Sequence, residues 1–167
     1  MQRTDTPASW DERSTLITFL DYARATVVAK CEGLSDEDAR RAPLATSPLM
    51  TVSGLVNHLR WNEHYWFEVM FLGGEDRGPW TDEDPDAEFT ASLGLPLAQV
   101  LEDYRAQSRT VDALIEGIGL DELSKGTDSK GNHLTLRWVI GHMTEETARH
   151  NGHLDILREL VDGVTGF

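Results

Sequence analysis

Apolar side chains recur along most of this chain three and four residues apart, and the two-residue alternation of a strand is missing almost everywhere. Four stretches are long enough to be independent helices. The first runs from about Trp10 to Glu32, with Leu16, Phe19, Leu20, Ala23, Val27 and Cys31 on its apolar face and Gly33 stopping it. A short turn, SDEDARRAP, follows, with Ser35 or Asp36 as cap and Pro43 ending the run. The second helix begins near Thr51 and ends at Gly73-Gly74; it is apolar on most sides and is expected to be the most buried element. The third spans about Pro96 to Ile118 and presents Leu97, Val100, Leu101, Tyr104, Ser108, Val111 and Leu114 on one face. The last starts near Thr135 and ends by Gly163. This pattern predicts an all-α fold, a four-helix bundle formed by one domain over residues 1–167.

Between the second and third helices lies EDRGPWTDEDPDAEFTASL, residues 75–93, polar, acidic and broken by Pro79 and Pro85. Connections in compact domains are commonly about 4–6 residues, so a loop of this length calls for a reason. In a bundle, a long crossover lets two successive helices run parallel. A second loop, GTDSKGNH, carries turn chemistry at Asp128 and Gly131.

Charge narrows the partners. The chain carries 29 acidic against 15 basic residues, a formal net charge of −14. Nucleic-acid affinity draws on clustered Lys and Arg, and no basic run occurs, so neither nucleic acid nor an anionic membrane is an expected partner. No apolar run approaches the ~18 residues of a membrane span, and the opening MQRTDTPASWDERS lacks the apolar core of a secretory signal. Cys31 is the only cysteine, which rules out an internal disulfide and a thiolate zinc cluster. A cytoplasmic protein is the expectation.

The last helix contains an anomaly. Its apolar stripe of Val139, Met143, Leu154, Leu157 and Val161 has His150 near its centre and Glu146 one turn earlier, toward its edge. His142 and His153 fall at the border, whereas Glu145 and Arg149 point to solvent. Side chains at i and i+4 lie one above the other, so Glu146 and His150 can reach one metal ion. A core histidine hydrogen-bonded to a glutamate accounts for the pair equally well. In the second helix, GLVNHLRWNEHYW puts His58 on the margin of the stripe of Leu55, Leu59, Trp66 and Val69, while His64 faces another side as a surface or boundary residue. Two bundle helices that each aim imidazole inward can close a site between them. Two histidines and a glutamate suit zinc, with nickel or ferrous iron as alternatives, and three protein ligands leave a position for water or substrate. Metal binding would also keep Glu146 ionised, which burial alone disfavours.

The stretches TVSGLVNHLRWNEHYWF and LRWVIGHMTEETARHNGHLDILREL, with the helix order and the long middle connection, resemble the DinB/YfiT-like superfamily of metalloenzymes. Within it they resemble the actinobacterial-type branch long labelled a domain of unknown function, related to mycothiol-dependent enzymes. The resemblance covers nearly the whole chain, and the fourth-helix stretch is its specific part. It implies a four-helix bundle with a crossover and a metal triad, one ligand from the second helix and two, spaced i,i+4, from the fourth. Mapped here, these are His58, Glu146 and His150. Many members have histidine where Glu146 stands; the mycothiol-dependent maleylpyruvate isomerase branch has glutamate. The chain is too short for the further C-terminal domain of that isomerase, which argues against isomerase activity itself. A homodimer is also implied.

Family members are linked to mycothiol, bacillithiol or glutathione as S-transferase cosubstrates. The implied function is therefore a metal-dependent transfer of a low-molecular-weight thiol, mycothiol-type, to an electrophile. The alternative is a non-catalytic, stress-linked bundle protein whose metal braces the fold. A third possibility, a metal-free interaction protein, would leave His58 unrelated in space to Glu146 and His150. Asn62, one turn after His58, could orient a ligand or bond substrate, or simply fill space. His142 and His153 could receive the second N–H of a metal-bound imidazole, although surface or boundary roles are the plainer reading. Cys31 reads as packing, as do Trp61, Trp66 and Trp138. Gly152 costs about 1 kcal/mol in mid-helix relative to alanine, which a close neighbouring helix would explain.

Overall fold

A computed structural model describes residues 3–166. Helix α1, Glu12–Lys30, is capped by Asp11, whose carboxylate accepts the Ser14 N–H, and its chain leaves through Gly33 at φ 73°. Ser35 caps the short α2, Asp36–Arg40, and Thr51 caps α3, Val52–Glu63. Without a break, α3 continues as a π-helical stretch, His64–Phe71. A single turn, α4 (Ala87–Thr90), lies within the long connection, before α5, Leu97–Ile115. The final helix, α6, covers Leu136–Asp162 between a Thr135 cap and Gly163 at φ 76°.

The all-α expectation needs one correction. Strand β1, Leu123–Thr127, pairs antiparallel with β2, His133–Thr135, so a small hairpin precedes α6. LSKGT and HLT are too short and polar to show strand periodicity. Their pairing comes from the turn, where the Asp128 carboxylate accepts the N–H groups of Lys130 and Asn132. β1 also packs against the π-helical stretch. There Gly126 passes so near Met70 that a Cβ would sit 2.6 Å from its sulfur.

The core forms two apolar clusters. One gathers Val27, Cys31, Leu55, Leu59, Val100, Tyr104, Leu154 and Leu157; the other gathers Leu20, Phe67, Phe71, Val111, Ile115, Val139 and Met143. Along α1 and α6 the chain passes from the second cluster to the first, and along α3 and α5 from the first to the second. Helices α3 and α5 therefore point the same way. Two residues expected on apolar faces are instead exposed: Phe19 at 48% and Leu114 at 38%, with Leu20 and Ile115 turned inward beside them.

Polar side chains separate the clusters. Arg24 of α1 is fully buried, its Nε donating to Glu63 Oε1 at 2.7 Å and its Nη2 to Glu63 Oε2 at 3.0 Å. Its Nη1 reaches Asp21 and Asp112, and Ser108 donates to Glu63 Oε1 at 3.4 Å. Burial pushes the Glu63 carboxyl up, and the Arg24 guanidinium opposes that shift. Helix ends are also tied across the fold by arginines. Arg13 of α1 donates to the carbonyls of Ile118 and Ile115 at 2.6 and 2.7 Å, beyond and at the end of α5. Arg158 of α6 donates to the carbonyls of Lys30 and Glu32 at the end of α1. Among the described residues no helix is long and apolar enough to cross a membrane.

Candidate metal centre

α3 and α6 pack together so that His58 comes to face Glu146 and His150. Each residue offers one ligand atom, and the three atoms lie within 4.8 Å of one another. His150 Nε2 is 3.1 Å from Glu146 Oε1, and His58 Nε2 is 3.8 Å from the same oxygen. The two rings meet edge to face, with centroids 4.9 Å apart. Metal–ligand bonds of about 2.1 Å at tetrahedral angles put donor atoms roughly 3.4 Å apart, a value these two separations bracket. Nitrogen and carboxylate donors in this number fit a divalent zinc, nickel or iron ion.

The surroundings favour ligation. Burial, followed by the neighbouring His58, pushes the His150 pKa down to about 4, so its imidazole is neutral at pH 7, as a metal ligand must be. The second oxygen of Glu146 accepts from Arg149 Nη2 at 2.6 Å, and Arg149 also clasps Glu145 on the exposed side of α6. His153 meets His150 Nδ1 to Nδ1 at 3.2 Å, and Asn62 Nδ2 donates to His58 Nε2 at 2.8 Å. Both therefore touch the triad. His142 is elsewhere: it stacks on Trp138 at 4.9 Å and meets the edge of Trp66 at 4.5 Å.

Two residues of the long connection complete the site, and the sequence reading did not single out either. Glu88 Oε1 lies 3.3 Å from His58 Nδ1, and the Phe89 ring stacks on the His58 ring with centroids 4.5 Å apart and planes 15° apart. α4 is held there by Asn57 Nδ2 donating to the Glu88 carbonyl at 2.6 Å and by Ser92 donating to the Ser53 carbonyl at 3.1 Å. Gly54 allows the approach: a Cβ at that position would stand 2.7 Å from the Phe89 carbonyl oxygen. A glycine in the first turns of an otherwise apolar helix was the available signal for a second backbone passing close by. Gly152, by contrast, faces open space.

Beside the triad opens a groove of about 290 Å³ lined by Ser47, Pro48, Leu49, Met50, Leu55, Phe89 and His150. Its lining carries no charged side chain apart from what the imidazole can acquire. A second, polar cleft of about 330 Å³ lies over Arg60, Trp61, His64, Glu68 and Arg77. It corrects the placement of His64, which is 1% exposed rather than superficial. His64 does face away from His58, but residues 76–80 fold back over that side. Its Nε2 accepts the Arg77 N–H at 3.1 Å and its Nδ1 lies 3.1 Å from Glu68. Nε2 thus holds the connection down directly, while Nδ1 contacts Glu68 one turn along the same helix, whose other oxygen accepts from Arg77 Nη2.

Cys31 is buried in the first cluster, where burial pushes its thiol up to about 12. A thiol so held is protonated and unreactive at neutral pH.

The sequence profile of a family described as mycothiol S-transferase matches residues 15–163. Among curated proteins none matches in sequence. Among solved structures, the crystal structure of the mycothiol-dependent maleylpyruvate isomerase is similar, with a TM-score of 0.60 at 12% sequence identity over 83% of this chain. The match spans 59% of the isomerase chain, and at that identity the likeness is one of fold.

Proposed function

The chain belongs to the mycothiol S-transferase family, and from that premise we propose that it is a metal-dependent enzyme joining a mycothiol-type thiol to a small electrophile. The observation that carries this reading is the convergence of His58, Glu146 and His150 donor atoms from two helices within 4.8 Å. These three residues would hold the ion, zinc before nickel or iron. When bound, a divalent cation there would favour ionisation of a coordinated thiol, whose ordinary pKa is about 8.5, and so supply thiolate at neutral pH.

The chain's own residues do the rest. Arg149 fixes Glu146 by its outer oxygen, leaving the inner one toward the two imidazoles. The uncharged groove beside His150 receives the apolar body of the electrophile and keeps water from it. Attack by the thiolate would form the sulfur–carbon bond as the electrophile's leaving group departs with its electron pair, the thiol's proton having passed to solvent. No cysteine of the protein is needed, in keeping with the buried, protonated Cys31.

In this reading the four long helices are one four-helix bundle domain, residues 75–93 are its crossover, and the enzyme works as a cytoplasmic homodimer. The test is turnover by zinc-loaded protein with mycothiol, bacillithiol and glutathione in turn against a panel of uncharged electrophiles. Thiol-dependent product formation, with mycothiol preferred, supports the transferase. Bound metal without turnover for any thiol would leave the non-catalytic metal-binding protein in its place.

A further inference from the structure

We propose that Glu88 is a positioning residue that fixes the tautomer of His58, keeping its proton on Nδ1 and leaving Nε2, the nitrogen on the side of Glu146 and His150, bare. The lock needs no ion; its effect on metal affinity rests on the function proposed above.

The argument starts from what each group can do in a hydrogen bond. An ionised carboxylate only accepts. Glu88 Oε1, 3.3 Å from His58 Nδ1, therefore calls for the proton on Nδ1. Nε2 is then bare, which is the state in which it can accept from Asn62 Nδ2 at 2.8 Å. It is also the state in which an imidazole can ligate, once an ion displaces Asn62 from that single lone pair. The 3.8 Å between Nε2 and Glu146 Oε1 agrees with this assignment, because two acceptors face each other there without a hydrogen bond. A histidine whose far nitrogen donates to a carboxylate is a stronger and better-oriented ligand.

His150 is arranged differently. Its Nε2 is within hydrogen-bond distance of Glu146, and its Nδ1 meets only another histidine. By the same rule the Glu146 carboxylate calls for the proton on His150 Nε2, which leaves Nδ1 bare to accept from His153. Without an ion, His58 therefore has its inner nitrogen bare, whereas His150 must give up its Nε2 proton when an ion enters.

The locking group comes from outside the long helices. The Asn57 and Ser92 hydrogen bonds and the close approach at Gly54 fasten α4 to α3. Phe89 then covers the ring face while Glu88 holds its edge. Glu88 Oε2 is buried without a hydrogen-bond partner, so the carboxylate's buried contact is with His58 rather than with a competing donor.

Nitrogen-15 NMR of the His58 ring in metal-free protein tests the lock. Asn62 favours the same tautomer, so the informative comparison is between Asn62→Ala and the double variant Asn62→Ala with Glu88→Ala. The single variant is expected to keep Nδ1 protonated and Nε2 bare; the double variant is expected to show both tautomers. Adding Glu88→Gln to Asn62→Ala should also show both tautomers, because the amide can turn either its oxygen or its NH2 toward Nδ1. An unchanged tautomer in the double variant, or its loss in Asn62→Ala alone, would overturn the proposal. For metal affinity, Glu88→Ala should weaken zinc binding by roughly 10–100-fold, with circular dichroism unchanged. Wild-type protein that binds no zinc but shows the expected tautomers would reject the metal centre and leave the lock standing.

Discussion

His58 Nε2 stands 3.8 Å from Glu146 Oε1, although the two side chains project from different helices and neither is hydrogen-bonded to the other. The gap between two acceptors suits a cation better than it suits either group alone. His58→Ala and His150→Ala should each reduce bound zinc from near one equivalent per chain to near none, measured by elemental analysis after dialysis. Full zinc retention in both variants would reject the triad.

Acid should destabilise the metal-free protein through His150. Its pKa is about 4 in the folded state against 6.5 ordinarily, so between those values the unfolded chain binds more protons. The contribution to stability is full above pH 6.5 and is lost as pH falls toward 4. Urea unfolding at pH 7, 6, 5 and 4.5 should show this fall, and His150→Gln should flatten it. An equal slope in both proteins would assign the acid sensitivity to other groups.

The Arg24–Glu63 pair predicts an asymmetry between single and double variants. Among the described residues, Arg24→Met leaves the buried Glu63 carboxylate with Ser108 as its one hydrogen-bond donor and should cost about 3–5 kcal/mol. Replacing both, Arg24→Met with Glu63→Leu, should cost less than Arg24→Met alone, because no orphaned charge remains. Chemical denaturation of the two variants checks the order.

Gly54→Ala should dislodge α4. The added methyl meets the Phe89 backbone oxygen at 2.7 Å, and backbone cannot swing aside as a long side chain does. A loss of about 1–3 kcal/mol is expected, together with faster proteolysis within residues 75–93. Gly152→Ala has open space around it and should stabilise α6 by a fraction of a kcal/mol or more.

Cys31 should resist alkylation in the folded protein, with its thiol pushed to about 12 by burial. Iodoacetamide labelling at pH 8 should be slow without denaturant and fast in 6 M urea. Fast labelling of the native protein would contradict the burial.

The long helices were legible because their apolar periodicity is local and their caps are single residues: Thr51, Thr135 and Gly163 mark ends that follow from backbone chemistry. His58, Glu146 and His150 could be picked out because imidazole and carboxylate on an apolar stripe are costly without a partner. Glu88 and Phe89 could not, since nothing in DAEFTAS shows that a crossover will fold back onto α3. The hairpin escaped for a related reason: three- and five-residue strands carry too few side chains to show a period. His64 misled because its helical face was assigned correctly while the covering of that face by residues 76–80 was invisible.

The arginines that reach from α1 to the end of α5, and from α6 to the end of α1, imply how the molecule must assemble. Peptides excised as single helices would fray at these termini, because the groups that satisfy their last carbonyls arrive only with a neighbour. Ordering of one helix end and docking of the next are therefore the same event, which favours concerted unfolding over helix-by-helix melting.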